Sequence, residues 1–392
     1  MKRFPFYLFT FLLLTLSGCI DEYEADIPSE DSDLLVVEGT ICSSKVNTFV
    51  LTRTLPINSS YTPTAVRGAR VSVRGSDGSE YVAQDMKGEG SYSCQVGELA
   101  PDVDYYLHIE KDGEVYESEP QKPLATEKIA EVKAVQYTRE SNIDVLVTPA
   151  APTHPDKVNY YAWTYDETWI VFPDYTTTIF FDITLMAPID KFHQFPDCGW
   201  KDAKSTSIMV GSSMNYAGQH IQKLKLYDID RSNERVYRQY SGLVHQRAIT
   251  KAEYEYDLAR LQASSEMGGL FTPLPSALPT NIRCLTSDKR VIGYVGCSLN
   301  TSEYRFFVKA WEYGIYHPTP RDARTWLHDC TEMDCYRMAT KEGMYLCEWK
   351  DERTMEGVLE TAWAYDYQLD VRLRGAYIEE PDFWSLAEDV SY

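Results

Sequence analysis

Residues 68–84 read GARVSVRGSDGSEYVAQ, and their alternation decides the fold. Ala69, Val71 and Val73 fall on one face of an extended chain, Arg70, Ser72 and Arg74 fall on the other, and Ser76-Asp77-Gly78 supplies a turn. Successive side chains of a strand point to opposite faces, so a period of two that ends in turn residues specifies a half-buried hairpin. The pattern extends both ways. LLVVEGTI (34–41) and NTFVLTRTLPI (47–57) precede it, and GSYSCQV (90–96) and DYYLHIEKDGEVYESEP (104–120) follow. In the last of these Tyr105, Leu107 and Ile109 alternate against Tyr106, His108 and Glu110, and Lys111-Asp112-Gly113 marks a second hairpin. Short strands punctuated this regularly predict a β-sandwich from Leu34 to about Leu124.

From about Ala130 the chain continues in strand-like runs rich in β-branched and aromatic residues, among them VKAVQYT, NIDVLVTPAAP, NYYAWTYDETWIVF, TTTIFFDITL, HIQKLKLYDI and RVYRQYSGLVHQRAI. One helix interrupts them. Thr250-Lys251-Ala252-Glu253 reads as a capping box, and Tyr254, Leu258 and Leu261 recur at helical spacing until Gly268-Gly269. Strands resume in VIGYVGCSLNTSEYRFFVKAW, and after Tyr316 the periodicity fades while three cysteines appear. The expected fold is mainly β: two β-sandwich-like domains in tandem, residues 34–126 and 127–392, with a helix near 250–265 inserted in the second and a disulfide-tied C-terminal tail.

The first 18 residues predict an export leader. Lys2 and Arg3 are followed by an apolar run to Leu16 that is too short to span a bilayer, and Ser17-Gly18-Cys19 ends it. Leu16-Ser17-Gly18-Cys19 resembles the bacterial lipobox, which makes Cys19 the expected lipidation site and first residue of the mature chain. Several acyl chains hold a soluble domain at a membrane. Residues 19–33, with Asp21, Glu22, Glu24 and Asp26, are then a flexible acidic tether resembling those of surface-exported lipoproteins. An ordinary secretory leader, with Cys19 paired to another cysteine, is the alternative.

Formal charge is −21, and −23 once Lys2 and Arg3 leave with the leader, which argues against nucleic-acid binding. Eight further cysteines, Cys42, Cys94, Cys198, Cys284, Cys297, Cys330, Cys335 and Cys347, form an even set in an exported chain and are candidate disulfides. Cys42 with Cys94 is the natural pair in the first sandwich; spacing leaves the connectivity of the other six open.

Two resemblances follow from these patterns. The opening strands look like a transthyretin-like or carboxypeptidase-regulatory-like sandwich, a fold that implies a spacer or docking module. Over most of the mature chain, the stretches LVVEGTI, GARVSV, YYAWTYDETW, CGW followed by IMVGSS, ITKAEYEYDLARLQASSEMGGLFTPLPSALPTNI and VIGYVGCSLNTSEYRFFV resemble a Bacteroidota lipoprotein family known only as domain of unknown function 4249. In that family a Cys-x-Asp-Cys pair is common near the C-terminus, whereas here Cys330 and Cys335 are separated by four residues. The resemblance implies an outer-membrane lipoprotein in the company of TonB-dependent receptors, and it implies no catalytic residue.

The chemistry-bearing motifs are sparse. His328, Cys330, Cys335 and Cys347 have metal-ligating types, but an oxidising compartment favours bridges over zinc, and no metal or cofactor is expected. His193 beside Cys198 in sequence says nothing about pairing in space. No nucleophile elbow, zinc-protease helix, phosphate loop or dinucleotide fingerprint is present. In YYAWTYDETW, aromatic and acidic residues interleave: Tyr161, Trp163, Tyr165 and Trp169, with Asp166 and Glu167, form either a core ladder or a binding ledge. The expected function is a non-enzymatic binding or accessory subunit of a TonB-dependent transporter with ligand unknown. A surface enzyme on glycan or protein and a structural or adhesive module are the alternatives.

Overall fold

The computed structural model describes residues 33–54, 64–86, 88–192, 194–206, 208–264, 279–315, 322–352 and 358–384. The leader, Cys19, nearly all of the tether, His193 and Gly268-Gly269 lie outside the described residues.

The first strands are β1 (Leu35–Cys42), β2 (Val46–Arg53), β3 (Thr64–Ala65), β4 (Arg70–Gly75), β5 (Glu80–Val82), β6 (Gln84–Met86), β7 (Ser91–Gln95), β8 (Tyr105–Lys111) and β9 (Glu114–Ser118). They divide into two facing sheets, β1-β2-β7-β6 with β3 beside β2, and β9-β8-β4-β5. Val37, Phe49, Leu51, Val71, Val73, Tyr92, Leu107 and Tyr116 fill the space between them. The opening stretch follows its alternation in part, since Ser72 on the opposite face is also buried. Val71 and Val73 are buried, and Asp77 closes the β4–β5 turn by accepting from the Ser79 amide at 2.9 Å. At the β8–β9 turn Asp112 and Gly113 have φ of 51° and 83°, the pair of positive values that a type I′ hairpin needs.

The second sandwich is assembled from β10 (Ile129–Val135), β11 (Ile143–Pro149), β12 (Tyr160–Val171), β15 (Gly199–Lys204), β16 (Met209–Ser212), β17 (Leu224–Ile229) and β18 (Gln239–Ile249), with β13 (Ile179–Asp182) and β14 (Ala187–Asp190) forming a separate hairpin. One sheet is β10-β11-β17. In the other, β12 lies between β15 and β18 and also pairs with β16. The core between them contains Val145, Val147, Trp163, Leu226, Tyr240, Val244 and Val308. Helix α1 (Lys251–Ser264) follows β18.

The chain then goes back. Strand β19 (Ile282–Cys284) pairs with β9, and β20 (Val291–Ser298) runs parallel to β1 from Leu35↔Val291 to Cys42↔Ser298, before β21 (Ser302–Lys309) joins β18 in the second sandwich. Residues 282–298 therefore complete both sheets of the first sandwich, and the tandem division at 126/127 gives way to an interleaved one. Periodicity marks a strand without saying which edge it joins. Gly293 makes the pairing possible: its φ is +136°, and a Cβ there would stand 2.1 Å from the Val37 carbonyl oxygen.

The tail has more structure than its sequence pattern predicts. Strands β22 (Thr325–Leu327), β23 (Tyr345–Asp351) and β24 (Leu359–Ala364) form a sheet in the order β22-β24-β23, accompanied by α2 (Glu332–Thr340) and the short α3 (Asp366–Leu369). Phe181 of the β13–β14 hairpin packs with Cys330, Cys335, Met338, Leu346, Leu359 and Trp363 in a core of its own. Trp384 returns to the second sandwich, edge-on to Trp200 and Phe307.

The expected bridges are corrected as well. All eight cysteines beyond Cys19 are thiols. Cys42 and Cys94 sit on β1 and β7 with β2 between them, and Cys94 faces the sandwich core while Cys42 lies outside it. Cys198 packs beside Trp200 and Trp384, Cys297 is in the first core, and Cys284 and Cys347 lie on separate sheets.

Because Gly293 approaches backbone rather than a yielding side chain, Gly293→Ala is expected to destabilise the full chain by about 2–4 kcal/mol. Chemical denaturation would measure this, and an unchanged midpoint would show that the β1–β20 pairing does not depend on that glycine.

Candidate functional site

Strand β12 sends its odd-numbered residues inward. Tyr161 and Trp163 are 2% and 1% exposed and Trp169 is 8% exposed, so these three are core residues and not an open ledge. Each polar tip but one is satisfied inside. The Tyr161 hydroxyl donates to Glu127 at 2.9 Å and Trp163 Nε1 donates to Gln246 at 2.9 Å, while Trp169 Nε1 has no partner in the structure. Tyr165 stacks on Tyr227 with ring centroids 3.8 Å apart.

Glu167 is buried and ends in an ion pair with the partly exposed Arg235. Arg235 Nη1 donates to both its carboxylate oxygens at 2.7 and 2.8 Å, the Tyr240 hydroxyl donates to Oε1 at 3.0 Å, and Tyr240 and Tyr227 share a hydrogen bond at 2.8 Å. Burial raises the hydroxyls of Tyr227 and Tyr240 well above the usual phenol range. Asp166 points the other way and meets His245 at 3.1 Å, whose other ring nitrogen is 3.3 Å from Glu303. The six residues that the sequence groups together are thus split. Five line the core face and one joins a half-exposed charge chain.

The more unusual constellation surrounds α1. The capping threonine acts as expected, with Thr250 Oγ1 accepting from the Glu253 amide at 3.1 Å. The Glu253 side chain, however, pairs with Arg247 on β18 at 2.6 Å. Gly296 on β20 leaves room for it, since a Cβ at that position would meet both Glu253 carboxylate oxygens at 2.5 Å. Helix α1 therefore buries Glu253, Tyr256 and Asp257, whereas Tyr254, Leu258 and Leu261 stay half-buried. The polar stripe faces the protein, contrary to the usual amphipathic arrangement.

Together with Val37–Thr40 of β1, Tyr294 of β20 and Arg260, these residues line a cleft of about 100 Å³ where the two sandwiches and α1 meet. Arg260 reaches Glu38 at 3.2 Å and Asp257 at 3.3 Å. Burial lifts the Asp257 carboxyl to about 6, opposed by Arg260 and assisted by Glu253. Burial works against the Arg247 charge, but Glu253 beside it outweighs that and leaves the guanidinium more firmly protonated. Arg247 Nη1 is buried with no partner in the structure. The cleft combines a carboxyl that titrates near neutral pH, a fixed ion pair and two tyrosines, a set suited to holding a small polar group. Sequence reading missed it because its members come from β1, β18, α1 and β20, and only the capping glutamate carried a local signal.

The tail keeps its metal-ligating residue types apart. His328 pairs with Glu360 at 2.9 Å on the surface while Cys330 and Cys335 are in the tail core.

A family model, domain of unknown function (DUF4249), matches residues 20–304, and the chain belongs to that family. No curated protein matches the chain. Among solved structures, a two-domain fibronectin type-III segment from chicken tenascin is similar at 13% identity over 55% of this chain and 91% of that one, with a TM-score of 0.15. A superposition that loose carries no argument here.

The Asp257 carboxyl takes up its proton near pH 6 when folded and near pH 4 when unfolded, so its contribution favours folding as pH falls through that window. The full effect is at most about 3 kcal/mol. Asp257→Asn is therefore expected to be more stable than the parent at pH 7.5, with the difference vanishing by about pH 4. Thermal melts at the two pH values check this, and an equal offset at both would sink the assignment. Independently, Arg235→Ala leaves the buried Glu167 carboxylate with the Tyr240 hydroxyl but without its cation and is expected to cost about 1–3 kcal/mol in a denaturant titration.

Proposed function

Taking the chain as a member of the DUF4249 family, we propose that it is an outer-membrane lipoprotein, anchored through Cys19 and exposed at the cell surface. In this reading it acts as a non-enzymatic binding or accessory subunit of a TonB-dependent transporter. The observation that carries the reading is the short stretch of chain between Cys19 and the first strand. Arg53 on β2 donates to the Asp33 carbonyl at 3.1 Å, and β1 starts two residues later as an inner strand of the first sandwich. Between Cys19 and Asp33 the chain can span at most about 50 Å. A lipid on Cys19 would thus hold the first sandwich close to the bilayer, with the second sandwich carried on the same interlocked unit.

Several histidines support a binding role over catalysis. His108 sits between Glu117 and Glu110, His245 between Asp166 and Glu303, and His220 on the Pro149 carbonyl, so none of these three is presented to a serine or cysteine nucleophile. One observation favours the alternative of a surface enzyme: Glu253 and Asp257 bring two buried carboxyl groups to one cleft. Against it, Glu253 is held by Arg247 and walled by Gly296, which leaves Asp257 as the carboxyl with freedom to exchange a proton.

Replacing Cys19 with Ala is expected to release the protein from membranes into the soluble fraction, and retention of the variant would refute the anchor. Mild cross-linking of the tagged native lipoprotein in its own membranes, followed by mass spectrometry, is expected to recover one β-barrel receptor. Recovery of no barrel would overturn the accessory role and direct attention to glycan and peptide turnover.

A further inference from the structure

The first sandwich has a hollow at the end where the chain enters it. Leu34 leads into β1, Arg53 ends β2, Glu114 opens β9 and Val291 opens β20. The loop from β19 to β20 is fixed over this end, because the Leu285 amide donates to the Val115 carbonyl at 2.7 Å and the Val115 amide donates to Thr286 Oγ1 at 3.2 Å. The enclosed space is about 440 Å³, within the about 300–1,000 Å³ typical of small-molecule sites. Its lining carries both signs of charge. Arg53, Lys289 and Arg290 share it with Asp33 and Asp288, above the buried Leu34 and Tyr116. Two of the cations are positioned by the wall. Arg53 Nη1 donates to the Asp33 carbonyl at 3.1 Å, and Lys289 Nζ lies 2.6 Å from Glu114, whose other carboxylate oxygen accepts from the Tyr116 hydroxyl at 2.5 Å. A guanidinium has five N–H donors and an ammonium three, so these contacts leave both side chains able to donate further. A simple anion in the hollow would face the Asp33 and Asp288 carboxylates on a chain of formal charge −21, and a metal ion would face three cations. The lining suits a group that is itself of both signs.

We propose that this hollow binds a phosphate diester bearing a primary ammonium group, the chemistry shared by an ethanolamine phospholipid headgroup and its soluble glycerophosphate ester. Arg53, Lys289 and Arg290 take the phosphate, to which a guanidinium presents a paired N–H fork. Asp33 and Asp288, both exposed at the rim, accept from the ammonium. A second hollow of about 560 Å³ lies on the other side of residues 288–290 and is lined by Arg283 instead of Arg53, so Arg53 is what assigns the ligand to the first. The place suits a membrane source, since Asp33 both lines the hollow and stands at the end of the segment that begins with Cys19. A headgroup held there would give the anchored sandwich an orientation at the bilayer in addition to an attachment. The membrane source rests on the anchor proposed above; the headgroup chemistry does not.

The test uses the full chain carrying Cys19→Ala, which no lipid can anchor, so its outcome is independent of the membrane fractionation that tests Cys19. Calorimetry follows titration with glycerophosphoethanolamine, and sedimentation follows binding to vesicles of phosphatidylcholine alone, with phosphatidylethanolamine added, or with phosphatidylglycerol added. Binding of the soluble ester is expected, together with sedimentation that phosphatidylethanolamine enhances and phosphatidylglycerol does not. Arg53→Gln, and separately Lys289→Gln with Arg290→Gln, are each expected to weaken binding by about tenfold or more. Lys133→Gln with Lys251→Gln removes the same charge from exposed positions that line neither hollow and is expected to change nothing. Asp33→Asn with Asp288→Asn is expected to erase the preference for phosphatidylethanolamine over phosphatidylglycerol. A parent chain that binds neither the ester nor the vesicles overturns the proposal whatever the variants do. Equal loss in the Lys133/Lys251 control overturns it in favour of a general charge effect, and loss on Arg283→Gln with none on Arg53→Gln overturns the choice of hollow. Equal binding to phosphatidylglycerol vesicles overturns the ammonium assignment. Binding of the ester with no response to phosphatidylethanolamine vesicles upholds the site and identifies its ligand as a free phosphodiester.

Discussion

The parallel pairing of β1 with β20 is the constraint on which the rest of the molecule depends. It joins residues 35–42 to residues 291–298, so the first sandwich cannot finish its sheet until the second is nearly complete. Parallel strands need a crossover, and here the connection contains the other strands of the first sandwich, most of the second sandwich and α1. The result is two β-sandwiches that share a strand sequence and cannot be separated at a linker. Closing so long a loop costs entropy before any contact repays it.

The charged cleft is a consequence of that route. Bringing β20 beside β1 places Gly296 and Tyr294 opposite the first turns of α1, and β18 delivers Arg247 to the same point. Charges removed from water need partners and hydrogen bonds, and the Arg247–Glu253 pair supplies them for two of the groups. Asp257 is less well compensated, which is why its carboxyl holds a proton to higher pH than an ordinary aspartate.

Legibility in the sequence followed the range of the interactions. Hairpins were readable because turn chemistry and alternation act over a few residues: β4–β5 and β8–β9 turn where Asp77-Gly78 and Asp112-Gly113 say they should. The helix cap at Thr250 was equally local. The aromatic run of β12 was legible as a strand with two distinct faces, but which face would be dry was not, since that depends on β10, β11 and β17 packing against it. The tail sheet escaped notice because β22 is only three residues long, and because a helix separates it from the strands it joins.

The sequence by itself determined that the chain is mainly β and where most of the described strands and helix α1 lie. It could do so because strand period, turn residues and caps are properties of neighbouring residues. Only the tertiary structure decided that residues 282–298 belong to the first sandwich, that α1 turns its charged stripe inward, and that Cys330 and Cys335 share the tail core while β2 lies between the strands of Cys42 and Cys94. Those outcomes depend on which sheet edges, faces and helix starts come together in space, and no spacing along the chain encodes them.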